Sequence, residues 1–302
     1  MLVACAGPGS SASSVAGPSG NEPSQTACGV APTATPEDAV RRSIVIAGLE
    51  RVYTLSLPAT YTGLEPAPVI VNLHGLGGSG RELASVSGLE PDAWERGYVM
   101  VYPNAVGGVW NMQDATDVDF LVALLDQVAT EVCIDKARIF AAGISQGGEF
   151  ASFFACSKPG SLAAIASVAL VNYFERCATW DAMPLVAFAG TNDPLYRPAT
   201  GLSLNIEYPG EAVDRPGPLA REAASWAEAN GCDPTPSEAP GPAGTTLFTF
   251  ACGAGADVEY VLHDGGHGWP GGTPPYPGSG PGVPELDANS IILDFFENAA
   301  GP

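Results

Sequence analysis

Apolar positions along this chain alternate between two rhythms from about residue 43 to residue 298. Residues 43–57 alternate apolar and polar about Gly48, which predicts an antiparallel hairpin at a sheet edge. Residues 69–73 are a continuous apolar run and predict a buried strand. A short helix is predicted over 84–97, a strand over 98–102, and a loop after it carrying an exposed Trp110. Val118, Leu121, Leu125 and Val128 recur at helical spacing, so residues 117–132 read as an amphipathic helix. Residues 137–144 predict a strand that runs into a glycine-rich turn, and Phe150, Phe153 and Phe154 then suit the buried face of a helix. Strands follow over 163–171 and 185–189, a helix over 218–230, a hairpin over 245–252 and 257–263, and a closing helix over 290–298. Strands alternating with helices predict an α/β fold, with a mostly parallel central sheet and helices on both faces. In such sheets chemistry collects at the carboxyl ends of the strands.

Composition divides the chain. From Ala6 to Pro36 it is mostly Gly, Pro, Ser, Ala and Thr, too poor in large apolar residues to offset the entropy of ordering. Residues 1–40 therefore read as a signal remnant and flexible tether, and 41–302 as the catalytic domain. Acidic residues outnumber basic ones 33 to 12, a formal charge of −21, which repels phosphate backbones and anionic lipid and argues against nucleic acid as a partner. No run is long enough to span a membrane and no internal repeat is present.

Seven cysteines with no C-x-x-C pair point to an oxidising compartment. Leu2-Val3-Ala4-Cys5 reads as the end of a bacterial lipoprotein signal, making Cys5 a candidate lipid anchor with the tether as its spacer. Six cysteines remain. Proximity along the chain suggests Cys156 with Cys177 and Cys232 with Cys252, which leaves Cys28 with Cys133.

The turn after 137–144 is Gly143-Ile144-Ser145-Gln146-Gly147, a G-x-S-x-G pattern that puts a serine hydroxyl at the apex of a strand-to-helix turn. A helix beginning there aims free N–H groups, including that of Gln146, at an anion forming beside Ser145. A glycine-rich turn with an incidental serine is the plainer reading of those five residues. A serine nucleophile needs a base, and the base needs a carboxylate to fix its tautomer. His74, in His74-Gly75-Leu76-Gly77-Gly78, is expected to hold that loop, whose glycines expose N–H groups of the kind an oxyanion hole uses. His263 ends an alternating strand, whereas His267 lies in the loop just beyond it and is the better-placed base. Asp193 follows an apolar strand directly, while Asp181, Asp214 and Asp233 read as solvated. Ser145, Asp193 and His267 also occur in the chain order that a nucleophile elbow requires. Nothing in the pattern calls for a metal or a cofactor.

With these residues in hand, the chain resembles the polyhydroxybutyrate depolymerase-like and feruloyl-esterase-like branch of the α/β-hydrolase superfamily. The resemblance rests on NLHGLGGSG at 72–80, VYPNAVGGVWN at 101–111, RIFAAGISQGG at 138–148, AGTNDP at 189–194 and HDGGHGWPGG at 263–272. It implies a secreted or envelope-attached bacterial serine esterase, with Ser145, Asp193 and His267 as triad and backbone N–H groups at Leu76 and Gln146 as oxyanion hole. Two departures stand out. The segment between Asn111 and Asp117 is shorter than that family's, and no further substrate-binding domain is expected after the catalytic one.

Trp110, Trp269 and Tyr276 are candidates to line an aromatic cleft for a feruloyl or aryl-polyester acyl group. The competing reading packs Trp269 beneath the histidine loop. An insert around 196–216 is placed to cap the cleft. Two other functions share this pattern: a catalytically silent envelope binding module for carbohydrate or polymer, and a peptidase.

Overall fold

The computed structural model describes residues 27–29, 39–174, 177, 180–203, 217–273 and 278–299. Cys5, most of the tether, residues 204–216 of the insert and Tyr276 lie outside the described residues.

In chain order the elements are β1 (Val40–Ile46), β2 (Leu49–Ser56), β3 (Ala67–Leu73), α1 (Gly80–Ser87), α2 (Leu89–Glu95), β4 (Val99–Pro103), α3 (Thr116–Glu131), β5 (Ile134–Ile144) and α4 (Gln146–Ser157). After them come β6 (Ala164–Val168), β7 (Leu185–Gly190), β8 (Tyr196–Arg197), β9 (Gly201–Leu202), α5 (Leu219–Asn230), β10 (Ser237–Pro240), β11 (Thr246–Phe250), β12 (Val258–His263) and α6 (Ala288–Ala299). Among the described residues the main sheet runs β1-β2-β4-β3-β5-β6-β7-β12-β11-β10. Its six central strands, from β4 to β12, are parallel, and antiparallel hairpins finish both edges.

Successive side chains of a strand face opposite ways, so a parallel strand apolar at every position serves two cores. Val69 and Val71 of β3 enter the core beneath α3, α4 and α5, while Ile70 enters the core beneath α1, α2 and α6. Phe140, in the adjacent β5, stacks on Phe296 of α6 at 4.6 Å. Each such fully buried large side chain contributes about 1.5–3 kcal/mol.

The expected helix over 84–97 is two helices. Gly88 adopts φ 60°, ending α1 and starting α2, and Ser79 caps α1 by accepting a hydrogen bond from the Glu82 N–H at 3.3 Å. β12 pairs with β11 as a hairpin but also with β7 in parallel, and β10 extends that edge although its Ser-Glu-Ala-Pro sequence lacks strand propensity. The disulfides are Cys28–Cys133, Cys156–Cys177 and Cys232–Cys252, the pairing suggested by proximity. The first attaches residues 27–29, which fall within the expected tether, to Cys133. Cys28 is bonded there, and the Gly29 N–H donates to the Gly63 carbonyl at 2.8 Å.

Candidate active site

Ser145 sits between β5 and α4 with φ 56° and ψ −125°, a backbone region that non-glycine residues rarely enter. Its neighbours make the strained turn the close-packed solution. A Cβ on Gly147 would lie 2.0 Å from the Leu73 carbonyl oxygen, and one on Gly143 would lie 2.5 Å from the Gly147 carbonyl carbon. The Ser145 N–H donates to the Val168 carbonyl at 2.8 Å, tying the elbow to β6. Gln146 opens α4 with no side-chain cap, so its N–H points out of the helix start.

The glycine loop after β3 lies against this elbow, since a Cβ on Gly75 would stand 3.4 Å from the Ser145 Cβ. His74 is buried and acts as expected of a loop holder. Its Nδ1–H donates to the Gly75 carbonyl at 2.8 Å, and its Nε2 accepts from the Ala105 N–H at 3.0 Å, which sets the tautomer. Burial lowers its pKa, partly opposed by the bond to Gly75. Leu76 is the solvent-facing tip of this loop, 44% exposed.

Asp193 and His267, 74 residues apart, meet in a buried contact. The His267 Nδ1–H donates to Asp193 Oδ2 at 2.6 Å, while Asp193 Oδ1 accepts the N–H groups of Leu195 at 2.7 Å and Tyr196 at 2.9 Å. Both carboxylate oxygens are thereby committed, and the donation from Nδ1 sets the tautomer in which Nε2 is the acceptor nitrogen of the ring. Parallel pairing of β7 with β12 continues into these loops. The Thr191 N–H donates to the His263 carbonyl at 2.8 Å, and the Asn192 N–H to the Gly265 carbonyl at 3.0 Å. On the other side, the Gly266 N–H donates to Pro281 at 2.7 Å and the His267 N–H to Ser279. His263 is buried as a strand residue, with Nδ1 accepting the Gly265 N–H at 3.1 Å and burial lowering its pKa.

Two aromatic expectations need correction or refinement. Trp110 is 1% exposed, not on the surface. Its ring stacks on Phe150 at 4.6 Å, its Nε1–H donates to the His74 carbonyl at 2.8 Å, and its backbone N–H donates to Gln146 Oε1 at 3.1 Å. It therefore cannot form a wall of an open cleft. Trp269 is 3% exposed and donates through Nε1 to Asn289 Oδ1 at 2.8 Å, which matches packing beneath the histidine loop. Two further residues that position the site carried no motif. Arg51 and Asp117 form a buried ion pair at 2.7 Å, and Asp117 accepts the Asn111 N–H at 2.7 Å, which holds the loop bearing Trp110. An arginine in a predicted strand and an acid at a helix start gave no signal of each other.

No protein-family model matches the chain. It is similar to "Putative esterase NocK" of Nocardia uniformis subsp. tsuyamanensis, 32% identical over 260 residues that span 78% of this chain and 75% of that protein. It is also similar to feruloyl esterase D of Neurospora crassa, 28% identical over 80% of this chain and 81% of that protein, and to feruloyl esterase C of Emericella nidulans, 28% identical over 72% and 76%. Among solved structures, acetyl xylan esterase from Aspergillus awamori shares the fold with a TM-score of 0.56, over 86% of this chain and 99% of that one at 12% identity.

Proposed function

This chain belongs to the feruloyl-esterase-like branch of the α/β-hydrolase superfamily and is a carboxylic ester hydrolase; from that premise we propose that it works through an acyl-enzyme on Ser145. In this reading His267 Nε2 takes the Ser145 proton as Oγ attacks the ester carbonyl, and the N–H groups of Leu76 and Gln146 receive the oxyanion. His267 then passes the proton to the departing alcohol. Water repeats the cycle on the acyl-enzyme and releases the acid. Asp193 steadies the imidazolium that forms at each step.

The observation that carries this reading is the buried 2.6 Å contact between Asp193 and His267, in loops that follow β7 and β12 on the same sheet edge as the Ser145 elbow. β6 alone separates β5 from β7, so elbow and acid turn start roughly two strand spacings, or about 10 Å, apart. The substrates we propose are feruloyl and related aryl esters, with hydroxyalkanoate and aryl-polyester oligomers as the further range. The names of two relatives favour the feruloyl group. Three disulfides favour a secreted or envelope location, and Cys5 as lipid anchor belongs to the same proposal. No helix among the described residues is long and apolar enough to cross a membrane.

The test is covalent labelling with an aryl organophosphonate, followed by peptide mapping and a release assay on methyl ferulate, hydroxybutyrate oligomer, aryl polyester and p-nitrophenyl acyl esters. The adduct is expected on Ser145, with methyl ferulate the preferred member. An adduct on another residue overturns the mechanism, and a labelled enzyme that ignores methyl ferulate overturns the substrate class. Labelling also separates the esterase from a silent binding module of the same fold.

A further inference from the structure

The two N–H groups assigned to the oxyanion belong to different segments, the glycine loop after β3 and the start of α4. Their separation must be held within a few tenths of an ångström for both to reach one oxygen. The Leu76 N–H shares a peptide plane with the Gly75 carbonyl, and that carbonyl is gripped by the His74 Nδ1–H at 2.8 Å and the Gly78 N–H at 3.1 Å. The preceding carbonyl, of His74, takes the indole N–H of Trp110 at 2.8 Å. The backbone N–H of the same tryptophan reaches the side chain of Gln146 at 3.1 Å, at the first residue of α4.

Resting on the mechanism above, we propose that Trp110 and the Gln146 side chain are positioning residues that couple the two halves of the oxyanion hole. Trp110 bonds both segments. Its indole is fixed by stacking on Phe150 at 4.6 Å, and Phe150 lies one helical turn beyond Gln146 in α4, so the ring and the backbone of Trp110 are both referenced to that helix. The loop that carries it is pinned at three further points: Asn104 Oδ1 accepts the Gly80 N–H at 3.0 Å, the Gly77 N–H donates to the Gly108 carbonyl at 2.8 Å, and Asp117 holds Asn111. The Gln146 amide is oriented by the donor it meets, because only its oxygen can accept the Trp110 N–H. Among the described residues its Nε2 is buried without a partner, a cost that packing alone would remove by an apolar residue at this position. Bridging to Trp110 is what a glutamine supplies here and a leucine or methionine would not.

The test uses Trp110→Phe, which keeps the stacked ring and deletes the indole donor, and Gln146→Met, which keeps the volume and deletes the acceptor. Removing an oxyanion donor outright costs about 10²–10³ in kcat, so displacing one is expected to cost roughly tenfold. Each variant should lower kcat about tenfold with KM within about twofold, and weaken inhibition by a trifluoromethyl ketone, a tetrahedral mimic, by the same factor as kcat/KM. The double variant should lose little more than either single one, since both cut the same bridge. An unchanged kcat, a rise in KM alone, or a loss that leaves ketone inhibition intact overturns the proposal. Should Trp110→Phe fail to fold by thermal denaturation, Gln146→Met decides alone. Retained activity in Ser145→Ala would instead sink the underlying mechanism, so the two failures are distinguishable.

Discussion

The Ser145 elbow and the Asp193–His267 pair share a sheet edge and differ in how their parts are brought together. Around Ser145 the glycines of one contiguous turn are tightly packed: a Cβ on Gly143 or Gly147 would meet backbone at 2.5 or 2.0 Å, and one on Gly148 would meet the Ser167 hydroxyl at 2.2 Å. Around His267, three segments distant in sequence, at 190–196, 263–267 and 279–281, are joined by hydrogen bonds. Close backbone approach is present in both, since a Cβ on Gly190 would lie 2.2 Å from the Gly265 carbonyl oxygen, and the second adds hydrogen bonds between segments distant in sequence. Both should break on adding an atom, and the second also on removing or reversing a partner.

The largest effect sharpens the comparison at its centre. Ser145→Ala should lower kcat on a p-nitrophenyl ester about a millionfold with the thermal midpoint unchanged or raised, since the deletion removes the proposed nucleophile and no packing. Asp193→Asn should cost about 10⁴-fold, measured as kcat/KM. The Leu195 and Tyr196 N–H groups keep the amide oxygen, so the amide NH₂ faces His267 and forces the tautomer in which Nε2 is already protonated. Gly147→Ala should destabilise by about 3 kcal/mol or more in denaturant titration, because its clash is with the backbone of a central strand. Gly266→Ala meets the Ser279 carbonyl oxygen at 2.1 Å, in a loop instead of a central strand. It should cost about 1–2 kcal/mol while losing a larger share of activity. Equal losses of stability from the two alanines would break the distinction.

The smallest effect concerns pH. His74 in one half and His263 in the other are both held below the ordinary histidine value of 6.5 by burial. Their unfolded forms bind protons first, so the stability they confer is complete above pH 6.5 and declines as pH falls below it. Denaturant midpoints between pH 7.5 and 5 should show this decline, and His263→Asn should make it shallower. An unchanged slope would mean that His263 does not contribute.

Much of this was legible beforehand for reasons that differ by element. The elbow could be read because strand, turn and helix are contiguous, and small residues at 143, 147 and 148 are a local signature of close approach. Asp193 and His267 could be read from their places after apolar strands. Trp110 reads as exposed in the sequence because a loop residue among glycines offers no periodicity, whereas its burial depends on Phe150 and His74, which lie elsewhere in the chain. β10 was missed because its pairing with β11 outweighs a sequence without strand propensity.

Alone, the order of residues determined the alternation of strands and helices, the sharp turn at Ser145 and the types of side chain available to it, since these follow from neighbours along the backbone. Tertiary structure decided that the Asp193 carboxylate and the His267 imidazole actually meet, that a tryptophan ties the glycine loop to the start of α4 instead of facing solvent, and that the Cys28 disulfide fastens residues 27–29 to the body of the protein. Those outcomes depend on hydrogen bonds, stacking and a disulfide between segments tens of residues apart, and their partners become neighbours only when the two cores on either side of the sheet have closed.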